Sequence, residues 1–352
     1  MLNIRNEGIL LERTDLSFED QAVLNPGCVE VDGIVHMFYR AVHTGNHSTI
    51  GYCQLKDNKV IYRRDTPLLF PEHDYEKQGL EDPRIVKHED GTYYLFYTAF
   101  DGETARVAVA TSIDLVNFTK RGLITPTITY EDAMRYFDNL PLKQSYLLHS
   151  LIVKQVHGSN AMLWEKDAFI FPKKINNKYA LIHRILPSIQ ILYFDSLEQL
   201  QSEKFWFDYL QDFKKYTVLD PRTTDFYIGG GCPPIETPLG WLLIYHRVIG
   251  KNEKRIYCAG LALFDAKDPT KLIAKRKEPL FYPQEAWETS GDVNNVVFPT
   301  GAVLKEGRLY IYYGAADKHI GAKSMILDEL LATLSDSSQS EIYPLKGLSS
   351  VV

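Results

Sequence analysis

The chain has 352 residues, enough for about two average domains or for one larger barrel or propeller. Lys and Arg number 39 against 45 Asp and Glu, and a net charge of −6 excludes a globally basic protein built to hold nucleic acid or anionic lipid. Apolar residues at 45% and charged residues at 24% exclude a mainly disordered chain, while 22 Tyr, 22 Gly and 17 Pro lean toward β-structure.

The first twenty residues carry charges throughout and lack the apolar core of a secretory signal. No run approaches the ~18 apolar residues of a membrane span. A cytoplasmic location is expected. Cys28, Cys53, Cys232 and Cys258 form no Cys-x-x-Cys pair and are expected as buried free thiols, with a disulfide as the other reading.

From residue 28 a pattern recurs. An apolar or aromatic run meets a two-residue turn, and a second run ends in aromatic and polar residues. The copies are CVEVDGIVHMFYRA (28–41), IVKHEDGTYYLFYTA (85–99), FIFPKKINNKYALIHR (169–184), PPIETPLGWLLIYHR (234–247) and GAVLKEGRLYIYYGA (301–315). Each has the alternation and turn chemistry of a β-hairpin. A third strand-like stretch follows each copy, and DLVNFTKRG and DPTKLIAKRK add a fourth to two of them. Five units of three to four strands predict an all-β, five-bladed β-propeller in a single domain, favoured over a sandwich by the repeated order. The segments 131–165 and 198–226 break the pattern. The first is expected to be helical or a long excursion between blades. LDELLATL (327–334) has helical spacing with Asp328 in its first turn, a peripheral helix.

A propeller brings its innermost strand ends to one hub, so polar exceptions in the repeats are informative. GLEDPRI (79–85) sets Glu81, Asp82 and Arg84 around Pro83, which biases Asp82 toward an extended backbone. The matching place in the first repeat is LNPG (24–27), with Asn25, and Arg40 closes that hairpin. Glu165-Lys166-Asp167 opens the third repeat, and His183-Arg184 closes it. His246 closes the fourth, and Asp317 follows the fifth. Each alone reads as a turn or a structural residue. Together they predict a polar, aromatic-rimmed pocket with the carboxylates Asp82 and Asp317 and the cations Arg40, Lys166, Arg184 and His246. Such a set suits a sugar, whose C–H face stacks on aromatic rings and whose hydroxyls take amide, carboxylate and guanidinium groups. Cleavage would need a proton donor to the leaving oxygen and a nucleophile on the other face. Water as nucleophile needs a second carboxylate, whereas phosphate needs cations.

GLEDPRI, KDAFIFPKKINNKYALIHR, GGGCPPIETPLGWLLIYH, GLALFDAKDP, WETSGDVNNVVFPTG and YYGAAD, in that order, resemble glycoside hydrolase family 130, over about residues 22–335. This is the family of β-mannoside phosphorylases and β-1,2-mannosidases, and its fold is a five-bladed propeller. The resemblance implies that Asp82 is the catalytic acid, reaching the glycosidic oxygen through the mannosyl 3-hydroxyl. It implies that Asn25, Arg40 and Asp317 hold the mannosyl unit with Tyr257 nearby, and that Arg84 and Glu288 join the substrate-binding set. Lys166, Arg184 and His246 would hold phosphate, with Lys166 standing where many members carry Arg, which keeps the charge but loses the bidentate fork. The segment 131–165 is longer than the corresponding link in many members.

Three functions fit. An inverting phosphorylase would convert β-mannosides, β-1,2-linked manno-oligosaccharides above all, to α-mannose 1-phosphate. An inverting β-1,2-mannosidase would need a base opposite Asp82, for which Glu288 and Asp225 are the candidates. A sugar-binding propeller without catalysis would be expected to lose Asp82 or the cations, and neither is lost. Phosphate would be a co-substrate and not a cofactor. No metal site is expected, because histidines are scattered, and the glycines at 229–231 lack a Walker lysine and point to close approach between blades. Linkage, chain length, acceptor sugar and homo-oligomeric state are left open.

Overall fold

A computed structural model describes residues 2–137, 142–158, 161–251 and 254–343. The chain is all-β with a few short helices, in four hydrogen-bonded sheets. Expected turns join strands in three of them. Asp32-Gly33, Asn176-Asn177 and Glu306-Gly307 each place both central residues at positive φ, the type I′ geometry whose twist matches that of the flanking strands.

The largest sheet has eight strands. Ala22–Val31, Ile34–His43, His47–Lys56 and Lys59–Arg63 form one antiparallel meander, and Gly79–Lys87, Tyr93–Phe100, Ala105–Ser112 and Thr119–Leu123 form another. The two meet in parallel at Ser48 and Gly79. There Gly79 has φ 148°, and a Cβ would stand 2.6 Å from the Ser48 nitrogen. Lys166–Ile170, Tyr179–Arg184, Ile189–Phe194 and Thr217–Leu219 make the second sheet.

In the third sheet the first edge is divided between two strands. Asp225–Gly230 and Ile235–Thr237 both pair with Gly240–Lys251, and Lys254–Phe264, Leu272–Arg276 and Ser340–Ile342 follow outward. The break spans Gly231 to Pro234, where two prolines lack a ladder donor. The fourth sheet runs Val297–Lys305, Arg308–Ala315, His319–Ile326 and then back to the N-terminal Arg5–Leu11, which pairs antiparallel with His319–Ile326.

The segment 131–165 is helical in its described part, with helices at Tyr130–Met134 and Lys143–His157. Residues 138–141 and 159–160 lie outside the described residues. The other interruption carries the helix Glu203–Gln211. Tyr146 and Val153 of the first segment and Trp206, Tyr209 and Phe213 of the second share one apolar core with the Lys166–Ile170 sheet. The expected helix at 327–334 spans Leu327–Ser335 with Asp328 and Glu329 in its first turn, where carboxylates oppose the helix dipole. All four cysteines are free and buried. No helix among the described residues is long and apolar enough to cross a membrane.

Candidate active site

Three strands carry the same irregularity. The ladder slips between Leu24 and Gly27, between Glu81 and Arg84, and between Lys166 and Phe169, then resumes with Gly27, Arg84 and Phe169 opposite Phe38, Phe96 and Ile182. Within each slip one residue sits in the left-handed region: Asn25 at φ 51°, Asp82 at 50° and Asp167 at 58°. Asn and Asp tolerate this conformation better than other non-glycine residues. Such bulges re-aim a side chain out of the ladder. Asp317, at φ 51° in the turn after Arg308–Ala315, adds a fourth. The extended backbone expected for Asp82 from Pro83 is therefore not what the bulge imposes.

These side chains line one cavity of about 220 Å³, with Arg40, Lys166, Arg184, His246 and Tyr257. That is smaller than the ~300–1,000 Å³ typical of drug-sized ligands and suits one small polar unit. Asn25 donates through Nδ2 to Asp82 Oδ1 at 2.7 Å. Arg40 pairs with Glu81 at 2.8 Å and reaches Asp82 Oδ1 at 3.8 Å. Asp317 is pushed up to about 6: burial is the main cause, opposed by Arg40 and reinforced by the nearby Asp82.

The basic side of the cavity is equally ordered. Lys166 and Arg184 are cross-strand partners. Lys166 Nζ lies 3.1 Å from Glu81 Oε2. Burial works to raise the Glu81 carboxyl, but Arg40 and Lys166 outweigh it and hold the group below the ordinary range. Arg184 Nη1 lies 2.9 Å from Asp167 Oδ2, and its guanidinium stands 5.5 Å over the Tyr227 ring. His246 is fully buried, and burial together with Arg184 and Arg84 pushes it down to about 3 against the pull of Asp167, so it is neutral. Gly229 stands opposite His246, where a Cβ would be driven into the imidazole and to 2.5 Å from Asp167 Oδ2. At Gly230 a Cβ would stand 2.7 Å from the Asp167 carbonyl oxygen, the close approach expected of the glycine triplet.

Two expected site residues lie elsewhere. Arg84 does not line the cavity. It is 1% exposed beneath it, donating to the carbonyls of Asp82, Gly230 and Gly231 and to Asp167 Oδ1 at 2.9 Å. Four of its five N–H groups are used in these contacts, so it holds the backbone and Asp167 of the site in place. Glu288 does not line the cavity either. It completes the capping box of the helix Ala286–Thr289 and accepts from Tyr313 and Lys323 at 2.6 and 2.7 Å. Asp225, the other candidate base, is bound to Arg247 at 2.8 Å outside the cavity.

Asp167, Tyr227 and Phe298 also line the cavity, and Glu81 pairs with two of its cations, although none of the four was expected in the site. Tyr227 shares a 2.8 Å hydroxyl contact with Tyr257, and the Phe298 ring lies 4.5 Å from that of His246. A signal for Asp167 existed: it stands three residues before Ile170, as Asp82 stands three before Ile85. Among the described residues no cluster of His, Cys, Asp or Glu could hold a metal.

A family model described as beta-1,4-mannooligosaccharide phosphorylase matches residues 5–336. Two proteins of Thermoanaerobacter sp. are similar over nearly the full length. A 1,2-beta-oligomannan phosphorylase is 32% identical, covering 93% of this chain and 97% of its own, and a beta-1,2-mannobiose phosphorylase is 34% identical, covering 91% and 95%. A beta-1,2-mannobiose phosphorylase from Listeria innocua, solved with beta-1,2-mannobiose, shares the fold with a TM-score of 0.71 at 22% identity, covering 95% of this chain and 99% of its own.

Proposed function

The chain belongs to glycoside hydrolase family 130, and from that premise we propose that it is an inverting β-mannoside phosphorylase, acting on β-1,2-linked manno-oligosaccharides in the cytoplasm. One observation carries the reading. Lys166, Arg184 and His246 open on the same cavity as Asp82, Asn25, Arg40 and Asp317, while Glu288 and Asp225, the bases a hydrolase would need, are engaged elsewhere. Asp167 does face the cavity, but Arg184 and Arg84 outweigh its burial and hold its carboxyl below the ordinary range, which suits it poorly as a base for water.

In the proposed reaction a phosphate oxygen attacks the anomeric carbon from the face opposite the leaving group. The bond between that carbon and the glycosidic oxygen breaks. The oxygen takes a proton that originates on Asp82, and the products are α-mannose 1-phosphate and the shortened sugar. Asn25 and Arg40 orient the Asp82 carboxyl, and the mannosyl hydroxyls meet Asn25, Arg40 and Asp317. Phosphate is a co-substrate, and the step calls on no resident cofactor. The names of the Thermoanaerobacter relatives support the β-1,2 linkage.

A single domain of five blades is part of the same proposal. Its support is that the eight-stranded sheet divides at the parallel contact of Ser48 with Gly79 into two four-stranded meanders, which with the other three sheets make five. Phosphorus NMR of a β-1,2-mannobiose digest in phosphate buffer tests the reaction. An α-configured mannose 1-phosphate signal is expected, and free mannose with unchanged inorganic phosphate would refute it.

A further inference from the structure

We propose that Asp167 competes with inorganic phosphate for the Arg184 guanidinium and so sets how tightly the pocket holds phosphate. The inference rests on the phosphorolytic reading above and deepens it. The cavity is lined by three carboxylates, Asp82, Asp167 and Asp317, and by three permanent cations, Arg40, Lys166 and Arg184. Each of those cations already has an internal partner. Arg40 and Lys166 share Glu81 at 2.8 and 3.1 Å, and Arg184 Nη1 holds Asp167 Oδ2 at 2.9 Å. His246, being neutral, adds no charge to attract an anion.

A phosphate dianion entering this side of the cavity therefore finds no idle cation. The Lys166 side chain is 22% exposed. Arg184 is 8% exposed and wedged against Tyr227, so its fork is the fixed part of the site. The oxygen it holds, Asp167 Oδ2, also lies 3.9 Å from His246 Nε2, the other member of the basic trio on that wall. A phosphate oxygen that reaches both Arg184 and His246 must approach the place this carboxylate oxygen now takes, and like charges at that range repel. Asp167 keeps a counter-charge when it yields that contact, because Arg84 holds Oδ1 at 2.9 Å. Binding is then an exchange in which phosphate takes over the Arg184 contact from Asp167. The carboxylate is retained because without it Arg84 and Arg184 would be adjacent buried cations with no counter-charge.

Asp167→Asn keeps the volume and an acceptor for Arg84 while removing the charge. Initial rates with phosphate varied at saturating β-1,2-mannobiose, and melting curves with and without phosphate, test it. Asp167→Asn is expected to lower KM for phosphate about tenfold with KM for the mannoside little changed. Its phosphate-free Tm should fall, and its phosphate-induced rise in Tm should exceed that of the unaltered protein. A merely structural Asp167 would lower Tm without that larger rise. A folded variant whose KM for phosphate is unchanged or higher overturns the inference. Should the variant not fold, a crystal of the unaltered enzyme soaked in phosphate decides. Arg184 on phosphate with its Asp167 contact opened supports the exchange, and phosphate bound with that contact intact refutes it. An unaltered enzyme that neither consumes phosphate nor is stabilised by it overturns the phosphorolytic reading itself, and the inference with it.

Discussion

Asp82 and Asp317 are the two cavity carboxylates without a guanidinium closer than 3.8 Å, and they differ in what surrounds them. Asp82 is tied to Asn25 and faces Arg40, which suits a group that must present a proton in one direction. Asp82→Asn keeps the left-handed backbone conformation, which Asn also tolerates. It is expected to lower kcat by at least ~100-fold, the lower range of general acid catalysis, with Tm within a few degrees of the unaltered protein. Near-normal turnover would remove Asp82 from the mechanism. Asp317 has its titration in the folded state raised from 3.8 to about 6. The folded chain thus holds this proton more tightly than the unfolded chain does. Its contribution to stability is full below pH ~4 and is lost as pH rises through about 6. Asp317→Asn cannot ionise, so the stability of the unaltered protein relative to this variant should decline between pH 4 and pH 7 in denaturant titrations. A difference that stays constant or grows over that window would contradict the assignment.

At the scale of elements, the helical insertion 198–226 is coupled to the cation pair through a buried chain. Glu165 contacts His183 Nδ1 at 2.7 Å, and His183 Nε2 contacts the Tyr209 hydroxyl at 2.7 Å on the helix Glu203–Gln211. Glu165 and His183 directly precede Lys166 and Arg184, so alternation along the strands sends one pair into the core and the other toward the cavity. Tyr209→Phe leaves a His183 nitrogen without its partner in a dry core. The expected cost is about 1–3 kcal/mol in equilibrium unfolding, and no measurable loss would show that the contact is incidental. The hairpins were legible in the sequence because Asp-Gly, Asn-Asn and Glu-Gly turns act locally. Bulges are less visible: Pro83 argues for an extended Asp82, and only the slipped ladder with Tyr93–Phe100 reveals the left-handed turn. Glu288 could not be placed from its neighbours, since the groups that claim it, Tyr313 and Lys323, are 25 and 35 residues away.

At the scale of the whole chain, the N-terminal strand joins a sheet built from residues far along the sequence. Arg5–Leu11 supplies the outer strand of the sheet that otherwise consists of residues 297–326. This pairing covers an edge that would otherwise expose unpaired backbone groups. The sequence hid it, because RNEGILL lacks clear alternation and its partner lies more than 300 residues away. The cavity was legible only as a sum of weak polar exceptions, and it needed the fold to separate Asp82 and Arg184 from Arg84 and Glu288. The cavity brings Asp82, the proposed acid, together with Lys166 and Arg184, the proposed phosphate holders, and the proposed reaction divides the work between them. The most direct test of that division is the rate of β-1,2-mannobiose consumption with and without inorganic phosphate. Turnover that requires phosphate and yields mannose 1-phosphate is predicted. Release of free mannose at full rate in phosphate-free buffer would contradict it.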